Sequence, residues 1–281
     1  TGMQISSVNP FSHALKLKVF LKIIVVFGVI CCAYISYFYG TSMEKTLIII
    51  PTYNEIENIK SIIEAVFDTQ LGVNILVVDD QSPDGTGAEV LEMISRFPHQ
   101  LFLESRSDKT GLGSAYVHGF KWALRRDYEY IFEMDADFSH NPNELSPMLN
   151  ILQKDSDVVV GSRYVKGVNV VNWPLSRILL SYFASLYVRL ITSMPIKDAT
   201  AGFVGYRRKV LESMDLDQIK FVGYAFQIEL KYKAWLKKFK LEEHPIVFLN
   251  RTKGKSKMNG SIIWEALFGV LFLRIFKNRF R

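Results

Sequence analysis

Apolar and polar positions change their pattern along the chain, and each pattern predicts a different kind of element. From Val19 to Tyr39 almost every residue is apolar or aromatic, with Lys22 the only charge. As a helix at 1.5 Å per residue that run would measure about 31 Å, the thickness of one bilayer core. After Met43, short continuous apolar runs alternate with stretches of helical spacing. Thr46–Ile50, Asn74–Val78, Tyr130–Met134 and Asp157–Val160 read as buried strands, and Glu57–Phe67 and Ser114–Arg125 as helices. Strands separated by helices predict an α/β domain with a mainly parallel central sheet flanked by helices. Ligands bind such sheets beyond the carboxyl ends of the strands, so the loops after Ile50, Val78 and Met134 are expected to carry the chemistry.

Toward the C-terminus, Trp173–Met194 reads as a helix that is apolar at most positions but has Arg177 and Arg189 embedded. Ser261–Phe276 is apolar with Trp264, Glu265 and Arg274 inserted, and it ends in Lys277, Arg279 and Arg281. That interrupted run suits a helix lying in the headgroup region better than a span, with packing on the core as the alternative. The expected organisation is therefore a membrane-associated segment over 1–42, a catalytic domain over 43–260 and an interfacial helix over 261–281.

Composition narrows the class. With 281 residues of which 49% are hydrophobic, the chain can bury a substantial core, which excludes gross disorder. A net charge of +6 suggests nucleic acid until it is located. The basic excess lies mainly after Lys231 and around the first apolar run, where it suits an anionic lipid surface and leaves no nucleic-acid partner expected. Cys31 and Cys32 are adjacent within an apolar run, a spacing that fits neither a disulfide framework nor a metal knuckle.

The three loops carry distinct chemistry. The first, Pro51-Thr52-Tyr53-Asn54-Glu55, offers a ring for a base to stack on and a carboxylate to accept from base or ribose donors. The second places Asp79 and Asp80 at a strand end, and Asp84 beyond them reads as an Asx turn and helix cap. The third, Glu133-Met134-Asp135-Ala136-Asp137-Phe138-Ser139-His140, sets two acids at i and i+2. In an extended segment these share one face. Like charges so close repel, and Mg²⁺ or Mn²⁺ bridging them to a diphosphate removes that cost with hard oxygen ligands. His118 falls at helical spacing and is expected to pack; His140 either packs against the acidic loop or lies near the diphosphate.

Taken with Asp108–Gly113, Gly161-Ser162-Arg163-Tyr164, Asp198–Phe203 and Gly223–Glu229, these loops resemble the nucleotide-sugar domain of the inverting, family 2 type glycosyltransferases, and within it the dolichyl-phosphate mannose synthases. The similarity runs from about Lys45 to about Gly260. It implies a GT-A-like fold and transfer of mannose from GDP-mannose to a dolichyl or polyprenyl phosphate, with inversion. By resemblance, Pro51, Tyr53, Glu55 and Asp80 hold the guanosine with Asp79 nearby. Asp135, Ala136 and Asp137 meet the donor, and Asp135 and Asp137 also hold the metal. Ser139 stands where some members have Gln as a further metal ligand; it is weaker, and a water fills the place. Arg163 and Arg177 match positions that grip the acceptor phosphate. Arg251, Ser256 and Lys257 match a loop closing over donor and acceptor phosphates, Ser256 on the acceptor side. No general base is assigned, because a polyprenyl phosphate is already anionic at pH 7.

Rival readings remain. A polyprenyl-phosphate glucosyl- or aminoarabinosyltransferase, the former using UDP-glucose, would share the acidic loops. A non-catalytic nucleotide-binding subunit of a membrane complex would keep the pocket without turnover. A Rossmann dehydrogenase is disfavoured because no Gly-x-Gly-x-x-Gly follows the first strand. The resemblance places the active site on the cytosolic face, of the endoplasmic reticulum in a eukaryote or the plasma membrane in a prokaryote, with small membrane subunits as partners in some members. Lys16, Lys18 and Lys22 conflict with that placement if 1–42 crosses the bilayer, since basic residues stay inside. The segment then lies along the membrane, is overridden by partners, or is foreign to the enzyme, as the opening Thr1-Gly2-Met3 and a possible start at Met43 suggest. No small-residue cleavage site follows Tyr39, which argues against a secretory signal.

Overall fold

A computed structural model describes residues 45–107, 111–250 and 260–279. The expected helix at Val19–Tyr39, the stretch 108–110 and the loop carrying Arg251, Ser256 and Lys257 lie outside the described residues.

Seven strands form one sheet in the order β3-β2-β1-β4-β7-β5-β8. They are β1 (Thr46–Thr52), β2 (Asn74–Asp79), β3 (Leu101–Ser105), β4 (Tyr130–Glu133), β5 (Val158–Ser162), β7 (Val204–Arg207) and β8 (Leu241–Pro245). A separate two-stranded ribbon pairs β6 (Val170–Val171) with β9 (Phe248–Leu249). The apolar runs become strands because both faces are covered. Leu47 and Ile49 of β1 point into one core, while Ile48 and Ile50 point into the other. The first core is filled by α3 (Leu112–Leu124) and α7 (Tyr224–Leu236), the second by α1 (Ile59–Asp68), α2 (Thr86–Ile94) and α4 (Leu145–Lys154). The short α6 (Arg208–Glu212) follows β7.

β1 to β4 are parallel neighbours, as expected, whereas β7 runs antiparallel to both β4 and β5. β7 is four residues long, and its Gly205 sits opposite Phe132. A Cβ there would lie 2.5 Å from Phe132 Cε1, so this strand can enter the sheet only with glycine at that register. Gly119 plays the same part for α3, where a Cβ would come 2.7 Å from Ile49 Cγ2.

α5 (Leu175–Thr192) and α8 (Gly260–Ile275) pack on each other, and α8 also packs on α7. Between them α5 and α8 leave Leu175, Leu179, Leu180, Phe183, Phe268 and Ile275 exposed. By length and composition alone α5 could cross a membrane. Its Ser185, Val188 and Thr192 are nonetheless buried in the protein.

Candidate active site

The first two loops are laced into one surface. Asn54, Glu55 and Ile56 donate their backbone N–H groups to Ser82 Oγ, Thr86 Oγ1 and Asp84 Oδ2 at 3.0, 3.0 and 3.1 Å. Asp84 also accepts from Thr86 N–H and Oγ1, at 3.1 and 2.6 Å, which is the turn-and-cap role expected of it. Burial works against its charge, but these hydrogen bonds hold the carboxyl below its ordinary value. Pro51 belongs to β1 itself, and Tyr53 and Glu55 are half-buried beyond it, with Glu55 Oε2 accepting from Asn58 Nδ2 at 3.0 Å.

The adjacent acids at the end of β2 divide their work. Asp79 is buried and its carboxylate accepts from Thr52 Oγ1, Ser82 N–H and Ser82 Oγ at 2.8, 2.9 and 2.5 Å, so it organises the loops. Asp80 pairs with Arg106 Nε at 3.2 Å. Arg106 follows β3, a strand whose pattern did not announce itself, and its backbone N–H donates to Asp79 O at 2.9 Å. That β3 also changes the place of His118. Expected to pack, it is instead partly exposed and pairs with Glu104 of β3 at 2.9 Å.

β4 ends at Glu133, one residue sooner than expected, and the acidic residues occupy a turn in which Phe138 adopts φ +61°. The premise that Asp135 and Asp137 continue an extended strand therefore fails, because Ala136 and Asp137 already lie in the turn. Met134 keeps the loop's start on the sheet through a bond to Ile49 O at 3.1 Å. Asp135 is more than a third exposed and accepts from Tyr116 Oη at 3.4 Å, whereas Asp137 is nearly buried, its Oδ1 accepting from Ser139 N–H at 3.0 Å. Ala136 and Ser139 are buried with it. Among the described residues no cluster of three or more His, Cys, Asp or Glu side chains forms a closed metal site. Two aspartates on one turn are the donor set expected where a hard cation takes its other ligands from substrate phosphates and water.

His140 closes the turn. Its Nδ1 accepts from Asp135 N–H at 3.0 Å, and its ring stacks on Phe203 at 4.8 Å and meets the edge of Phe248 at 5.9 Å. Burial pushes its pKa down, so the ring serves as a neutral packing and hydrogen-bonding piece. Phe248 in turn lies 5.5 Å from the Arg163 guanidinium, which carries the site from the acids to the arginines.

Arg163 leaves the end of β5 and is held by Asp198: Nε reaches Oδ2 at 2.7 Å, Nη2 reaches Oδ1 at 2.6 Å, and Nη2 also donates to Thr200 Oγ1 at 2.9 Å. Arg177, on the first turn of α5, stacks over Trp173 at 4.0 Å and donates from Nη1 to Asn250 Oδ1 at 2.9 Å. Both arginines border the same Trp173, since the Arg163 guanidinium lies 5.6 Å from that ring. The holders are Arg106 and Lys231, which no sequence pattern singled out, and Glu133 and Gln227, which lie within the motif stretches but were given no role. For Gln227 and Lys231 the available signal was polar residues at i and i+4 within the run 224–236, a helix that the structure buries.

A sheet of this kind, parallel over β1 to β4 and with acids at its strand ends, matches a known family. Residues 47–215 match Glycosyl transferase family 2. The chain belongs to that family. The family 2 chain is 48% identical over 227 residues to a polyprenol monophosphomannose synthase of Mycolicibacterium smegmatis, covering 81% of this chain and 86% of the relative. It is 42% identical to an undecaprenyl-phosphate mannosyltransferase of Micrococcus luteus, over 80% of this chain and 92% of that one. Among solved structures it resembles glucosyl-3-phosphoglycerate synthase from Mycobacterium tuberculosis in complex with Mn²⁺, UDP and glucosyl-3-phosphoglycerate. The TM-score is 0.60 at 14% identity, covering 84% and 81% of the two chains, a likeness of fold alone. The GT-A-like sheet implied by the loops is the one this glycosyltransferase has.

Proposed function

We propose that this family 2 enzyme transfers mannose from GDP-mannose to a dolichyl or polyprenyl phosphate, with inversion at the sugar. The observation that carries the reading is the acidic turn facing, across His140 and Phe248, the arginine pair set around Trp173. The 48% and 42% identities to enzymes named for mannose transfer to polyprenyl phosphates support the choice of sugar and acceptor.

In this reading Tyr53, Glu55 and Asp80 line the guanosine side, with Pro51 setting the exit of β1 and Asp79 holding the loops that carry them. Asp135 and Asp137 would hold Mg²⁺ or Mn²⁺ against the diphosphate, with Ser139 beside them; the Mn²⁺ of the glucosyl-3-phosphoglycerate synthase complex makes such an ion reasonable here. When bound, the ion neutralises charge on the leaving nucleoside diphosphate. Arg163 and Arg177 would orient the acceptor phosphate, and Arg251 and Lys257 on the donor side and Ser256 on the acceptor side would close over both phosphates. A phosphate oxygen bonds to the anomeric carbon from the face opposite the departing oxygen, and the electron pair of the broken bond leaves with GDP. Alignment and desolvation of an anion already charged are sufficient, so no side chain need remove a proton. The exposed apolar residues of α5 and α8 support membrane association, with both helices lying at the surface beside the acceptor.

The reading is tested by incubating the purified protein with labelled GDP-mannose, Mg²⁺ or Mn²⁺ and a polyprenyl phosphate, then extracting lipid. Label in the organic phase is expected. Turnover of UDP-glucose in place of GDP-mannose would overturn the sugar assignment.

A further inference from the structure

Beneath the acidic turn, out of reach of solvent, the structure holds a cluster of ionisable groups that no step of the proposed reaction uses. Glu133, the last residue of β4, is fully buried, and its Oε2 accepts from Gln227 Nε2 at 2.5 Å. One turn further along α7, Lys231 is fully buried as well. Its Nζ donates to the backbone carbonyl of Ala201 at 2.6 Å and to Gln227 Oε1 at 3.4 Å. Ala201 lies three residues after Asp198, the two-point partner of Arg163.

Gln227 and Lys231 stand at i and i+4, on one face of one helix. They therefore reach two separate parts of the site from a single rigid rod: the base of the acidic turn, through Glu133, and the 198–202 segment that orients Arg163. The charges around the ammonium come from several elements. Glu133 of β4, Asp198 and Glu243 of β8 attract it, and Arg163 opposes it. Burying an ammonium costs several kcal/mol unless its partners are well placed. Lys231 reaches Glu133 through Gln227, and its shortest bond goes to a main-chain oxygen of the segment behind Arg163, so one side chain ties the two parts together.

We propose that Lys231, acting with Gln227, is a positioning residue that locks the base of the acidic turn to the 198–202 segment and so sets the distance from Asp135 and Asp137 to the Arg163 guanidinium. The proposal rests on the lipid-phosphate reading above, in which those groups hold the two ends of the reacting pair.

Full-length Lys231→Met and Lys231→Met/Glu133→Gln are compared with wild type in melting temperature, in affinity for GDP with Mn²⁺, and in rates against varied donor and acceptor. The double variant removes the acid with its ammonium, leaves no uncompensated buried charge at that joint, and is the arm that remains readable if the single variant does not fold. It is expected to melt within about 5 °C of wild type and to bind GDP within about threefold, while kcat falls at least about tenfold. Recovery of kcat in step with the melting temperature would show a stabilising pair only and overturn the proposal, as would a loss confined to GDP affinity. A wild-type protein that binds GDP but moves no mannose to polyprenyl phosphate sinks the substrate reading instead. Hydrogen exchange over residues 198–203 then decides the positioning role: faster exchange in the double variant supports it, and unchanged protection overturns it.

Discussion

Arg163 and Asp198 meet edge to edge inside the protein, two guanidinium nitrogens on two carboxylate oxygens at 2.7 and 2.6 Å, and the Arg163 backbone N–H adds a bond at 2.9 Å. Asp198 is fully buried and Arg163 is only 8% exposed. The direction of the guanidinium is therefore set by the 198–202 segment rather than by solvent, and its charge is balanced by the carboxylate behind it.

Removing that carboxylate should destabilise the fold. Burial opposes the Asp198 charge, but the pairing with Arg163 outweighs it and leaves the carboxyl below its ordinary value of 3.8. A lowered folded pKa means that the contribution is complete above the ordinary value and is lost as pH falls through the folded one. Asp198→Asn is expected to lower stability at pH 7 by about 3–5 kcal/mol, the usual loss when one partner of a buried pair is removed. Urea midpoints from pH 7 to pH 3 should converge between wild type and variant at the acid end; parallel curves would contradict the assignment.

Asp137 lies at the centre of the acidic turn, nearly buried, with its Oδ1 already oriented by Ser139 N–H. Asp137→Ala is expected to reduce metal-dependent transfer by at least about a hundredfold, and chelation of the wild type should do the same. Melting curves without metal should change little by comparison. A variant as active as wild type would favour a non-catalytic role for the pocket.

Arg177 combines a stacked position on Trp173 with a hydrogen bond to Asn250. Lysine cannot reproduce a planar, forked donor that stacks. Arg177→Lys is expected to raise the KM for polyprenyl phosphate about tenfold and to leave GDP affinity nearly unchanged. Equal losses in steady-state kinetics and in a nucleotide-binding titration would move Arg177 to the donor side.

The apolar residues that α5 and α8 expose can be tested apart from chemistry. Phe183 and Phe268 are 58% and 64% exposed, and burial of one such side chain is worth about 1.5–3 kcal/mol. Phe183→Asp/Phe268→Asp should cut sedimentation with anionic vesicles at least about tenfold while the circular dichroism spectrum stays the same. Undiminished binding would assign membrane attachment to another part of the chain.

Legibility of the fold followed burial. β1, β2, β4 and β5 could be read because both faces of each are covered, which demands continuous apolar runs. β8, Leu-Glu-Glu-His-Pro, lies at the sheet edge and tolerates charge, and β7 is too short and too dependent on Gly205 to show a period. The pair Asp135 and Asp137 was visible as a pattern, yet it does not continue the strand, because Ala136 and Asp137 already lie in a turn. His118 was misplaced for the related reason that its partner Glu104 belongs to β3.

Local chemistry along the chain was enough to determine the α/β class, the loops that carry the acids and aromatics, and the family resemblance, since each depends on residues close together in sequence. Tertiary structure alone decided which charges are spent within the protein. Asp79 is taken up by Ser82 and Thr52, Arg163 by Asp198, and Glu133 shares a buried cluster with Gln227 and Lys231. The energy of a charge depends on its burial and on partners brought from distant positions, 94 residues apart for Glu133 and Gln227, and no local pattern records that proximity.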